Sequence, residues 1–291
     1  MPVTSHRQYT AELILFATTF IWSSTFIVIK WGLAEFSPLL FLTLRFTLAA
    51  ALFLPLFPAA RRGLSRSTVR QGSLLGLFLF IGFALQTVGL DYTTASKSAF
   101  LTGLMVIFTP LIQVLWRRNG PAISRANVAG IGLVVAGLWL LTNPWGGLNA
   151  GDVLTLLCAV SFAGFIVHLD RVTPAHDPAA LTFAQIASTA LYGWIAVVLL
   201  EQAPRFNLTW AGIGAIVYLA VAATIVTGYL MTRFQKDTTP VRAVVIYTIE
   251  PVWAALMAAA LLGERLTMLA MLGGGLILAG LLVSELAPSR R

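Results

Sequence analysis

The sequence predicts an all-α integral membrane protein with ten transmembrane helices, arranged as a 5+5 inverted repeat. Three observations carry the prediction. The 291 residues are 58% hydrophobic and only 10% charged, with a mean hydropathy of +0.86, whereas soluble chains carry about 25% charged residues. Ten apolar runs each approach the about 20 residues that a helix needs to cross the hydrocarbon core. The basic residues gather unevenly between those runs, as they do when alternate loops face the cytoplasm.

The runs lie at 11–31, 38–58, 72–91, 96–116, 124–142, 152–169, 179–200, 210–231, 241–262 and 267–286. Turn-forming or charged segments separate most of them: Ser37-Pro38, Arg61-Arg62-Gly63, Asn119-Gly120-Pro121, Asn143 to Gly147, Pro174 to Pro178 and Gly263-Glu264-Arg265. The break at 92–97 is the least marked, with only Asp91-Tyr92-Thr93-Thr94 as polar punctuation. Barrel strands need alternating segments of about ten residues; continuous runs such as Ile131 to Leu141 do not alternate. The run after Arg7 is too long for a secretory leader and has no small-residue cleavage site.

With the N-terminus inside, the inner loops hold Arg7, Arg61, Arg62, Arg66, Arg70, Arg117, Arg118, Arg125, Arg171, Arg233, Lys236, Arg242, Arg290 and Arg291. The outer side holds Lys30, Lys97, Arg205 and Arg265, and Arg45 falls within a run. That asymmetry places both termini in the cytoplasm and the chain in the plasma (inner) membrane. The net charge of +8 does not indicate nucleic acid, because it comes from short Arg clusters between apolar runs. A single cysteine, Cys158, excludes an internal disulfide. Three scattered histidines and that cysteine support no metal site, and no cofactor is expected.

The two halves, 1–145 and 146–291, echo each other. Ser37-Pro38-Leu39-Leu40 answers Asp177-Pro178-Ala179-Ala180 at an offset of about 140, where Trp22 falls on Phe162 and Arg45 on Gln185. Thr93-Thr94 and Lys97 answer Thr238-Thr239 and Arg242 about 145 residues on. Five spans per half is an odd number, so the halves insert with opposite orientation. Inverted repeats are a transporter architecture with the substrate site near the midplane.

These residues resemble the EamA family of the drug/metabolite transporter superfamily. Ile21-Trp22-Ser23-Ser24-Thr25-Phe26 and Lys30 resemble its first helix, and Leu44-Arg45-Phe46 its second. Ala99 to Leu104 resembles the fourth, and Gly263-Glu264-Arg265-Leu266-Thr267 with Gly273-Gly274-Gly275 and Ala279-Gly280 the junction of the ninth and tenth. The resemblance implies a ten-helix carrier of the plasma membrane, often an exporter of metabolites or amino acids. Within the family the chain is similar to YddG-type exporters of aromatic and other amino acids. The resemblance also implies that spans 1, 3, 4, 6, 8 and 9 surround the site.

Polar groups inside a bilayer are costly and mark function. Glu250 lies in the ninth run, followed by Pro251, and Tyr247 and Trp253 fall three residues to either side, on one face of a continuous helix. Glu250 is a candidate receiver for a substrate ammonium or a proton; the alternative is a neutral or capped side chain that only packs. Trp22 and Phe26, Gln86, Met105 and Phe108, and Phe162 complete the candidate substrate-binding set with Tyr247 and Glu250. Such residues suit a mostly apolar cavity with few polar anchors. Arg45 reads as a structural partner of Glu35, of helix-end carbonyls or of an outer loop. Gly130, Gly132, Gly137, Gly273, Gly274, Gly275 and Gly280 permit close helix approach, within the chain or between copies, so a monomer and a weak homodimer both fit.

The expected function is secondary export of small metabolites, above all aromatic and other amino acids. A drug or phosphorylated-metabolite carrier of the same fold is the alternative. A membrane enzyme is disfavoured, because the acids are isolated and no phosphate-binding loop is present.

Overall fold

The computed structural model describes residues 3–93, 95–116, 124–142, 149–262 and 267–285. The predicted turns at Asn119-Gly120-Pro121, Asn143 to Gly147 and Gly263 to Leu266 lie outside the described residues.

Helices begin where small polar side chains satisfy the first free N–H groups. Ser65, Asp177, Thr209 and Thr239 each accept from a backbone N–H in the first turn of the helix they open. Asn149 and Asp152 exchange side-chain and backbone bonds in a capping box. Pro38, Pro178 and Pro240 occupy first-turn positions, where a missing N–H costs nothing. At Pro38 the cap is remote: the Glu201 carboxylate accepts from Leu39 and Leu40 N–H at 2.8 and 3.0 Å.

Thirteen α-helices result: α1 (Val3–Glu35), α2 (Pro38–Leu56), α3 (Arg66–Tyr92), α4 (Ala95–Gly103), α5 (Met105–Trp116), α6 (Arg125–Thr142), α7 (Ala150–Val172), α8 (Pro178–Leu200), α9 (Trp210–Ala220), α10 (Thr227–Phe234), α11 (Pro240–Tyr247), α12 (Glu250–Leu262) and α13 (Met268–Glu285). A π-helical segment, Val221–Val226, joins α9 to α10. No strand occurs among the described residues beyond an isolated bridge between Phe36 and Phe206. Eight helical segments are long and apolar enough to cross a membrane, with α4–α5, α9–α10 and α11–α12 each counted as one. The predicted fifth and tenth spans appear as shorter apolar helices, 125–140 and 271–283. Ten full-length spans are therefore more than the described residues contain.

Contacts between turns sort them into two ends of the bundle. At one end Ser37 N–H bonds Arg205 C=O and Asn207 N–H bonds Glu35 C=O, while Asn149 Nδ2 donates to Tyr92 C=O at 3.0 Å. At the other, Ser67 meets His176 at 3.1 Å and Thr238 Oγ1 donates to Glu12 at 2.8 Å. α2 lies along α8 and α6 along α13, while α5 and α4 pack on α11 and α12. α3 packs on α7, and α1 on α9 and α10. The α6–α13 contact brings backbone to backbone. A Cβ at Gly137 would sit 2.6 Å from Gly273 O, and one at Gly280 would sit 2.7 Å from Gly130 O. Gly132 and Gly275 face open space. Gly137 and Gly280 thus serve packing inside the chain.

Candidate functional site

Two helix breaks flank one interior space, and a third irregularity borders the cavity beside it. α4 breaks into α5 at Leu104, directly after Gly103. α11 breaks into α12 at Thr248 and Ile249, because Pro251 has no N–H and its ring excludes the carbonyl four residues earlier. Leu104 and Ile249 stand 145 residues apart, the spacing already seen between Thr93 and Thr238. The third irregularity is the π-helical segment between α9 and α10, a feature that recurs at functional sites. Discontinuous helices at matching positions of two halves are where transporters place their sites.

The space is a cavity of about 570 Å³, its mouth included. Its wall carries Trp22 and Thr25 from α1, Arg45 from α2, Leu79, Phe83 and Gln86 from α3, Thr102 from α4 and Met105 from α5. Phe162, Phe165 and Ile166 come from α7, Met231 from α10, Tyr247 from α11 and Glu250 from α12. An adjoining cavity shares Trp22, Arg45 and Phe83 and reaches Gln185 and Thr224.

The rings are held at fixed angles. Trp22 meets Tyr247 edge to face, centroids 5.3 Å apart, and Phe83 meets Phe162 likewise at 5.0 Å. Trp22 Nε1 donates to Thr227 Oγ1 at 2.9 Å, at the end of the π segment. The Tyr247 hydroxyl donates to Gln235 Oε1 at 3.3 Å, and Gln235 Nε2 to Ile166 C=O at 2.9 Å. Gln86 Nε2 donates to Thr102 Oγ1 at 3.0 Å, tying α3 to α4. The Ser23 hydroxyl lies 2.9 Å from Glu250 C=O and fastens α1 to the start of α12. The Glu250 carboxylate itself bonds no side chain among the described residues.

Of the residues predicted to bind substrate, Trp22, Gln86, Met105, Phe162, Tyr247 and Glu250 lie together on this wall. Phe26 does not: it is buried in a separate apolar cluster with Ile29, Leu90 and Leu219. Phe108 packs against the main core and is not part of the cavity wall. Trp253 leaves the face predicted for it because the helix is not continuous between Tyr247 and Glu250. It instead stacks edge-on with Phe16 and Phe20. Of the structural partners expected for Arg45, it meets a helix carbonyl and a hydroxyl and not Glu35. Its Nε donates to Thr224 Oγ1 at 2.7 Å and its Nη2 to Ala223 C=O at 3.1 Å, both within the π segment. His168 meets Gln71 at 3.0 Å.

An all-helical, multi-span bundle closed around an apolar cavity, with broken helices at its wall, has the form of a membrane transporter. The chain belongs to the EamA-like transporter family, whose model matches it twice, over residues 9–143 and 149–286. An uncharacterized transporter of Archaeoglobus fulgidus is 33% identical over 96% of this chain and 87% of its own. A Salmonella typhimurium protein described as a "probable amino-acid metabolite efflux pump" is 30% identical over 91% of each chain. The uncharacterized inner membrane transporter YedA of Escherichia coli is 26% identical over 90% of this chain and 86% of its own. A crystal structure superposes with a TM-score of 0.77 over 97% of this chain and 99% of the other at 20% identity, a likeness of fold alone. The protein is thus a multi-pass membrane transporter of that family.

Proposed function

We propose that the protein is a secondary transporter of the plasma (inner) membrane that exports amino acids, aromatic ones included, by alternating access. The observation that carries this reading is the ring-lined cavity bounded by both family repeats and by the breaks in α4–α5 and α11–α12. Trp22, Tyr247, Phe83 and Phe162 offer a mostly apolar enclosure with few polar anchors, which suits an amino acid side chain. The efflux-pump description of the Salmonella relative points the same way. Ten helices in a 5+5 inverted repeat, with both termini cytoplasmic, are part of the proposal. The reciprocal packing of α2 on α8, α4–α5 on α11–α12 and α6 on α13 supports it. The cavity lies within one chain, so the single chain is the proposed transport unit.

Contacts at the two ends supply the alternation. Thr238 Oγ1 and Arg242 Nη1 hold the Glu12 carboxylate at 2.8 and 3.1 Å. At the opposite end Thr93 Oγ1 holds the Asp152 carboxylate at 2.7 Å. Thr93 is related to Thr238, and Asp152 to Glu12, by the offsets of the repeat. Each contact fastens the first helix of one half to the other elements at one end, so releasing one while keeping the other exposes the cavity to a single side.

Proteoliposomes preloaded with amino acids, sugars or cationic drugs test the proposal by counterflow at two pH values. Exchange of labelled amino acids above protein-free vesicles is expected. Exchange confined to sugars or drugs would overturn the substrate assignment.

A further inference from the structure

We propose that Arg45 is the carboxylate anchor of the cavity and acts opposite Glu250, so that the bound species is a zwitterion carrying both charges. The inference rests on the transporter reading and narrows it. Arg45 is 2% exposed in the middle of a membrane helix. A buried cation is usually neutralised by an acid, because burying an unpaired charge costs several kcal/mol. Here no carboxylate pairs with it among the described residues; its partners are the neutral Thr224 hydroxyl and Ala223 carbonyl. The Thr224 hydroxyl in turn donates to Leu219 C=O at 2.8 Å, a bond over five residues made in the π segment. The guanidinium also lies over the Phe46 and Phe83 rings, 5.2 and 4.8 Å from their centroids, the two rings being neighbours 5.5 Å apart on the same side of it.

This mounting fixes the plane of the fork and commits two of its five N–H donors. The remaining donors belong to a group on the walls of both adjoining cavities. A fixed guanidinium edge is the shape that binds a carboxylate in two parallel bonds. Glu250, with an equally unpaired carboxylate, lies on the wall of the same cavity, and no ion pair joins the two. One basic and one acidic side chain thus line one apolar enclosure with no ion pair between them among the described residues. A ligand bearing an ammonium and a carboxylate on one carbon offers the carboxylate to Arg45 and the ammonium to Glu250, and its side chain meets the rings. Gln185, the repeat counterpart of Arg45, also lines the adjoining cavity, and its buried Oε1 has no hydrogen-bond partner among the described residues. It gives the site a further acceptor.

The experiment compares phenylalanine with phenethylamine, phenylalanine methyl ester and 3-phenylpropionate, as competitors of labelled phenylalanine in counterflow and as ligands in thermal-shift assays of the purified full chain. The zwitterion is expected to bind at least about 10-fold more tightly than each analogue, the scale of one lost charge-assisted bond pair. Arg45→Gln is expected to abolish the preference over the amine and the ester while leaving that over 3-phenylpropionate. Glu250→Gln is expected to do the reverse. Arg45→Lys keeps the charge without the fork, so it guards against a simple folding defect and is expected to recover part of the preference. Analogues equal to phenylalanine in the unaltered protein, or an Arg45→Gln variant that folds and keeps the full preference, would overturn the proposal. A zwitterion-selective thermal shift without flux would leave the site standing and remove the transport reading. Neither shift nor flux for phenylalanine and its analogues would remove both.

Discussion

At the residue scale, the cavity depends on what is missing as much as on what lines it. Gly82 faces Phe162, and a Cβ there would lie 2.4 Å from the ring. Gly82→Ala therefore has to push Phe162 and disturb its edge contact with Phe83. Overpacking of this kind costs about 1–3 kcal/mol, against about 1 kcal/mol recovered in helix propensity. Thermal unfolding in detergent is expected to fall slightly, while the apparent affinity for an aromatic amino acid falls several-fold more than that for a small one. Equal loss for both substrates would show that the ring does not touch the cargo. Glu250→Gln removes a membrane-embedded acid whose carboxylate pairs with nothing among the described residues. Counterflow measured across pH is expected to lose part of its pH dependence in this variant; an unaltered rate and profile would exclude Glu250 from the mechanism.

At the element scale, the broken helices govern both what the sequence revealed and what it concealed. Trp22, Gln86, Met105, Phe162, Tyr247 and Glu250 were legible because intramembrane polar groups and rings near the repeat's matched positions are few. For Arg45 a structural partner is legible but its identity is not, because a single sequence cannot display the π segment that receives it 178 and 179 residues away. Trp253 was misplaced because spacing arguments assume an unbroken helix, and Phe26 because one helix turn beyond Trp22 already faces another layer. Pro251→Ala tests the break directly. Restoring the N–H allows α11 and α12 to join, so thermal stability is expected to hold or rise while transport drops about 10-fold or more. A loss of stability together with transport would mean that the break is needed for folding, not for the site. The end contacts make a second test. Thr238→Val removes one bond to Glu12, and Thr93→Val one bond to Asp152. Bonds to charged groups contribute about 1.5–3 kcal/mol, so local amide exchange over 240–247 is expected to rise at least about 10-fold in the first variant and not in the second. Acceleration at both ends in either variant would speak against independent fastenings.

At the scale of the whole molecule, the arrangement of charge decides the orientation, and this is the prediction on which alternating access rests. The turn region with Arg61, Arg62 and Arg66 touches the one containing His176, and Glu12 touches Arg242, so these segments share an end. The opposite end carries Arg205 beside Ser37 and Asn149 beside Tyr92. The positive-inside rule predicts that the first end faces the cytoplasm, and the pairing of turns requires the chain to pass back between α5 and α7, where α6 lies. The apolar runs predict ten crossings; among the described residues eight segments are long enough to cross, and α6 and α13 are shorter apolar helices. Because Cys158 is the single cysteine and is fully buried, replacing it with serine provides a clean background. In intact cells a membrane-impermeant thiol reagent is expected to modify Asn207→Cys, and to reach His176→Cys only after permeabilisation. The reverse pattern would invert the molecule and make the Glu12 contact an outer fastening. Modification of both from outside would mean that the two ends do not lie on opposite sides, and the alternation between them would have no membrane to act across.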